Sequence, residues 1–226
     1  MPVNESLYVE IVKELTAKNV QLVAVSKIQT VADIKRLYEL GHRDFGENYV
    51  QELVEKHSTL PSDIRWHFIG HLQTNKVKQV VSFVHLIQGV DSFKLLLEIN
   101  KQGEKIGRQI NCLLQVHIAK EETKFGLDEN ELEEVVAFLK NSPERLSHVY
   151  VKGLMGMASF SDDDKMVRGE MSQLKQLMDK YSGVKTSVCQ MSTLSMGMSG
   201  DYNLAVAEGS NMVRIGTLLF GARPEK

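Results

Sequence analysis

The sequence predicts a single parallel (β/α)8 barrel with an additional N-terminal helix. Three observations point to it. Short apolar runs alternate with helical periods along the whole chain, which implies parallel strands joined by right-handed crossovers. Eight strand-like runs occur. The 226 residues suit one closed barrel, and no Pro- or Ser-rich linker divides them. The chain therefore reads as one domain, 1–226. The competitor is an open doubly wound sheet. It would usually carry a Gly-rich turn after the first strand, where this chain has Val25-Ser26-Lys27-Ile28-Gln29-Thr30.

The elements follow in order. A leading helix around Leu7, Ile11 and Leu15 precedes the first strand at 22–25. Val31, Ile34, Leu37 and Tyr38 share a helical face before the second strand at 44–45. The third, fourth and fifth strands are expected at 65–69, 86–87 and 112–117. Leu132, Val135, Val136 and Leu139 mark the helix before the sixth, 149–155. Met171, Leu174, Leu177 and Met178 mark the helix before the seventh, 186–191. A short helix over 201–207, stopped by Gly209, leads to the eighth at 212–215. Closure of these eight gives a TIM barrel.

Composition narrows the function classes. Lys and Arg number 27 against 29 Asp and Glu, a formal charge of −2. That gives no general field for nucleic acid or an anionic membrane, so an anionic ligand needs a local site. No apolar run reaches membrane-span length, and no signal peptide opens the chain, so a cytoplasmic protein is expected. Cys112 and Cys189 sit among apolar residues and read as reduced core thiols. His67 and His71 have the spacing of helical zinc ligands but fall on a strand and its loop, where that spacing does not converge on a metal. Asp162, Asp163 and Asp164 read as the opening of a helix, where carboxylates favour the dipole.

Polar residues cluster just after the strand runs, the positions that converge on a barrel's C-terminal face. Lys27 follows the first run. Asn48 follows the second, His71 the third, Gln88 and Asp91 the fourth. The loops after the seventh and eighth runs are rich in small and hydroxyl residues: Ser195, Ser199, Gly216 and Thr217. Barrels commonly bind phosphate there, because small residues let backbone N–H groups approach the oxygens. Ser199 has a second reading as a plain N-cap for the helix beginning near Asp201. Lys27 also has two readings. It is a solvated surface lysine, or a desolvated amine whose lowered pKa suits it to condense with an aldehyde.

Five motifs in register carry a family resemblance. They are Leu22-Val-Ala-Val-Ser-Lys27, Phe45-Gly-Glu-Asn-Tyr-Val-Gln-Glu52, Trp66-His-Phe-Ile-Gly-His-Leu-Gln73 with Asn75-Lys76, Leu194-Ser-Met-Gly-Met-Ser199, and Val213-Arg-Ile-Gly-Thr217 with Phe220-Gly-Ala-Arg-Pro224. Together they resemble the pyridoxal phosphate homeostasis proteins, the YggS/PROSC-like family, over nearly the whole chain. The resemblance implies a barrel like the N-terminal domain of bacterial alanine racemase, binding pyridoxal 5′-phosphate (PLP). It implies Lys27 as the Schiff-base lysine and Arg214 as the residue facing the pyridine nitrogen. It implies Ser195, Ser199, Gly216 and Thr217 as the phosphate cradle, with Asn48 near the cofactor. His71 lies within a motif but receives no role, and the looser match over 122–126 receives nothing catalytic.

The implied function is PLP and amino-acid homeostasis, with apo PLP-dependent enzymes as possible recipients and a monomeric state expected. A small amino-acid racemase is the alternative, and a barrel binding another phosphate ester is a third. An arginine cannot accept a hydrogen bond from a pyridinium, so it leaves the ring nitrogen neutral and weakens the electron sink that racemisation needs. The chain also ends at Lys226, with no C-terminal β-domain of the racemase kind expected.

Overall fold

Alternation of side chains, interrupted by register shifts at Ile87/Val90, Cys112/Leu113 and Val151/Gly153, builds the barrel. The structure is a computed structural model that describes residues 3–121 and 125–221. The strands are β1 (Gln21–Val25), β2 (Asp44–Glu47), β3 (Arg65–Phe68), β4 (Leu86–Val90), β5 (Ile110–Val116), β6 (Val149–Gly156), β7 (Lys185–Thr186), β8 (Cys189–Ser195) and β9 (Met212–Ile215). All pair in parallel except β7 with β8. β6 pairs with β8 and β9 returns to β1, so eight parallel strands close a TIM barrel.

The helices are α1 (Glu5–Ala17), α2 (Val31–Glu39), α3 (Val50–Thr59), α4 (Phe93–Lys105), α5 (Glu129–Asn141), α6 (Asp164–Tyr181), α7 (Tyr202–Ala207) and α8 (Thr217–Phe220). A 3-10 turn at Thr74–Gln79 replaces a helix between β3 and β4. Capping boxes at Thr30 with Asp33 and at Asp128 with Glu131 start α2 and α5. Such a cap contributes about 1 kcal/mol. Asp163 caps α6 by accepting from the Lys165 and Met166 amides, so the acidic run opens that helix.

Residues of one parity face the helices, and those of the other fill the barrel. Leu22, Ala24, Phe45, Trp66, Phe68, Ile87, Leu114, Leu154, Val213 and Ile215 join the layer between sheet and helices. Val23, Leu86, Leu113, Met155 and Met212 form a separate cluster. These are the opposite-parity residues, and they fill the interior. Gly46 shares their parity. A Cβ there would lie 3.0 Å from Val23 Cγ1 and 3.1 Å from Ile69 Cδ1, so a side chain would crowd both neighbours. Both cysteines are buried, and burial pushes both thiols up, Cys189 to about 11.

The seventh run differs from the expected form. A turn at Ser187 and Val188 breaks it into a hairpin, in which β7 pairs antiparallel with β8. The barrel strand proper runs on to Ser195, four residues beyond the expected end. The hydroxyl-rich composition of 192–195 reads as loop, but the β6 partner strand holds it in the ladder from Thr193 to Ser195. The second and fourth strands are also longer than expected, so Glu47 and Gln88 lie on strands rather than in loops. Among the described residues, no helix is long and apolar enough to cross a membrane.

Candidate functional site

A cavity of about 440 Å³ opens at the C-terminal face of the barrel. Lys27, Asn48, Ser199, Arg214, Gly216 and Thr217 all line it. They arrive from the ends of β1, β2, β8 and β9, so tertiary closure brings six of the seven expected residues to one wall. Ser199 does not act as the cap of α7. Asp201 holds that position, and the Ser199 hydroxyl accepts from the Gly216 amide at 3.2 Å, tying the two last loops together. Asn48 Oδ1 is buried and has no hydrogen-bond partner in the structure.

Ser195 is the exception. It is fully buried, and it does not line the cavity. Because β8 extends through it, its side chain points into the barrel beneath the cavity floor. There its Oγ accepts from Arg214 Nη1 at 2.6 Å and donates to Gln88 Oε1 at 2.7 Å. The expected cradle thus loses one member, and Arg214 gains a support.

That contact starts a chain of hydrogen bonds whose direction can be worked out. Arginine only donates. The single Ser195 proton must therefore go to Gln88, which places Oε1 of the amide on that side. Gln88 Nε2 then donates to His67 Nδ1 at 3.0 Å. His67 is left with its proton on Nε2, which donates to Asp44 Oδ1 at 3.0 Å. Asp44 closes the chain against Arg65 Nε at 2.8 Å. Ser195, Gln88 and His67 have no exposed surface. A directed relay thus crosses the barrel interior from a buried cation to a buried carboxylate. Burial opposes ionisation of Asp44, but the bonds from Arg65 and His67 outweigh it and hold this carboxyl well below the usual range.

Arg214 also donates from Nη2 to the Gly156 carbonyl at 2.9 Å. Burial lowers its pKa to about 10, partly offset by Asp201, which leaves the guanidinium protonated at neutral pH. The sixth-strand loop completes the wall with Met157, Ser159 and Phe160, and Phe160 is 97% exposed at the lip. Sequence reading assigned this loop no role. It also missed Gln88 and His67 as supports, although period-2 alternation marks both as inward polar residues.

His71 sits apart from this wall. Its Nδ1 bonds Asp91 Oδ2 at 2.6 Å and its ring stacks on Phe125 at 4.0 Å. His67 faces the barrel interior, so the two histidines serve different networks. Lys124, within the looser motif at 122–126, and 222–224 of the last motif lie outside the described residues.

The family model for the alanine racemase N-terminal domain matches residues 8–224. Fold and site therefore define a barrel of the alanine racemase N-terminal class. The pyridoxal phosphate homeostasis protein of Pasteurella multocida (strain Pm70) is 38% identical over 209 residues, 90% of this chain and 87% of that one. Its counterpart in Helicobacter pylori (strain ATCC 700392 / 26695) is 38% identical over 222 residues, 96% of each. The chain belongs to the pyridoxal phosphate homeostasis protein family. PipY of Synechococcus elongatus PCC7942, solved with PLP bound, superposes with a TM-score of 0.80 at 35% identity, over 90% of this chain and 93% of that one. Alanine racemase of Clostridium difficile 630 superposes at 0.76 with 15% identity, over all of this chain and 60% of that one, a likeness of fold.

Proposed function

We propose that this chain holds PLP at its barrel mouth, attached through Lys27, and serves intracellular vitamin B6 and amino-acid homeostasis. The observation that carries the reading is the convergence of Lys27, Asn48, Ser199, Arg214, Gly216 and Thr217 on one cavity. Its volume lies within the roughly 300–1,000 Å³ of small-molecule sites. The PLP-bound PipY structure and the family relatives support the same assignment.

The residues fit the group. PLP would supply an aldehyde, a phosphate and a pyridine ring. Lys27 offers the amine for the aldehyde. Ser199, Gly216 and Thr217 offer hydroxyls and close backbone for the phosphate. The buried, unpartnered Asn48 Oδ1 needs a donor, and a ligand hydroxyl is one. Arg214 serves the ring nitrogen and is held from behind by Ser195, which does not touch the phosphate. A guanidinium that stays protonated donates to a neutral ring nitrogen and leaves the cofactor a poor electron sink. That favours storage and supply over racemisation. The chain acts as one domain and as a cytoplasmic monomer, and apo PLP-dependent enzymes are its recipients.

The test is covalent. Protein purified with PLP is reduced with borohydride and mapped by mass spectrometry. The adduct is expected on Lys27. An adduct on Lys76 instead, or none, overturns the reading.

A further inference from the structure

The motif running from Phe45 to Glu52 contributes Asn48 to the cavity, yet its two glutamates face elsewhere. Glu47 shares the outward parity of Phe45 and has no exposed surface. There it meets Lys56 of α3, itself 5% exposed. The Lys56 ammonium has three donors and uses all of them. It donates to Glu47 Oε1 at 2.8 Å, to Glu52 Oε1 at 2.6 Å, and to the Ser26 carbonyl at 2.7 Å. Ser26 adds a bond from its own hydroxyl to Glu47 Oε1 at 2.6 Å. Glu52 Oε1 also accepts from the Ile28 amide at 2.6 Å.

These bonds bracket one residue. The carbonyl before Lys27 and the amide after it end on the same three-residue cluster. The turn so held is unusual. Ile28 has φ +66°, and Asn19 is the other non-glycine residue with positive φ among those described. A β-branched residue is a genuine outlier in that region, and it persists only where the surroundings impose it. The Ile28 side chain is 39% exposed, so packing does not impose it. Two bonds hold it instead: the Gln29 amide donates to the Ser26 carbonyl at 3.0 Å, closing a turn whose third residue is Ile28, and the Ile28 amide donates to Glu52. With residue 28 forced left-handed, the chain turns sharply after β1, and the Lys27 side chain is directed to the cavity wall.

We propose that Glu47, Lys56 and Glu52 are positioning residues for Lys27. They form a buried ionic clamp, outside the cavity, that sets the direction of its amine. This rests on the reading that Lys27 takes the aldehyde of PLP. Buried ionic clusters are weak stabilisers, but removing one member is costly because it leaves a buried charge uncompensated. Burial, with a lesser push from the Glu52 charge, raises the Glu47 pKa to about 7 against the opposing pull of Lys56 and Ser26.

The experiment compares two ligands. Pyridoxine 5′-phosphate has the phosphate and ring of PLP but no aldehyde, so its affinity reports the cavity alone. PLP affinity reports the cavity plus Lys27. Glu52→Ala removes the acceptor of the Ile28 amide from a partly exposed side chain. It is expected to weaken PLP at least tenfold and pyridoxine 5′-phosphate less than twofold. Glu52→Gln keeps an acceptor oxygen and is expected to restore PLP to within threefold of the parent. Equal losses for both ligands would make the cluster merely structural, and no loss for either would make it irrelevant. Both overturn the proposal. If Glu52→Ala does not fold, Glu52→Asn is the second variant, polar but too short to reach the amide, with the same selective loss expected. Lys27→Ala is run beside them. If it leaves the preference for PLP over pyridoxine 5′-phosphate intact, then the attachment itself is wrong, a failure distinct from that of the clamp.

Discussion

Ser195→Ala separates a cavity residue from a support. The hydroxyl is fully buried and bonds two groups, Arg214 Nη1 and Gln88 Oε1. Its removal strands a charged donor and a neutral acceptor in the barrel interior. A bond to a charged group contributes about 1.5–3 kcal/mol and a neutral one about 0.5–1.5. The variant should therefore lose about 2–4 kcal/mol of stability. At about 2–4 °C per kcal/mol for a chain of this size, the melting temperature should fall by roughly 5–15 °C. Ser199→Ala is the control, since its hydroxyl accepts one amide bond and is part-buried. It should cost about 0.5–1.5 kcal/mol. The assay is urea unfolding of PLP-free protein in phosphate-free buffer, followed by titration with pyridoxine 5′-phosphate. Cofactor must be absent, because binding to the native state would itself raise stability. If PLP-free Ser195→Ala unfolds with the parent while its phosphate-ester affinity collapses, the relay reasoning fails and Ser195 belongs to the cradle.

Ser199→Ala and Thr217→Ala should each weaken PLP more than pyridoxal, by about 1.5–3 kcal/mol for a lost bond to a charged phosphate; equal losses for the two ligands in calorimetry would place these hydroxyls away from the phosphate. Acid stability should depend on Asp44. Its folded carboxyl is held below the unfolded value, so its contribution is present above about pH 4 and is lost as pH falls below that. Asp44→Asn should lower stability at pH 7 by less than the roughly 3–5 kcal/mol of a fully buried pair, because Arg65 is half-exposed, and should flatten the acid limb of a stability–pH curve. An unchanged acid limb would show that Asp44 is not held low.

Much of the fold was legible because its signals are local. Eight runs alternating with amphipathic periods are set by which residues avoid water, and each helix face can be read without knowing its neighbours. The candidate wall was legible for a related reason. In a parallel barrel, every residue just past a strand end arrives at the same face, so Lys27, Asn48, Ser199, Gly216 and Thr217 could be grouped without coordinates, whereas Arg214 entered only through the family resemblance. The hairpin at β7 was less legible. Its turn, Ser187 and Val188, carries no glycine or proline, and the register of β8 is decided by its β6 and β9 partners.

Sequence by itself determined the barrel class, the strand-end placement of Lys27 and the hydroxyl-rich last loops. Tertiary structure alone decided what each polar side chain does there. Ser195 and Ser199 stand four residues apart in one motif, yet one lies beneath the floor holding Arg214 and the other lines the cavity. Gln88 and His67 became supports only when β3, β4, β8 and β9 enclosed a common interior. Lys56 became the anchor of the Lys27 turn only when α3 packed against β2. The physical reason is that apolar burial depends on each residue's own periodicity, whereas a buried hydrogen bond depends on a partner tens of residues away, which only the closed chain brings within 3 Å.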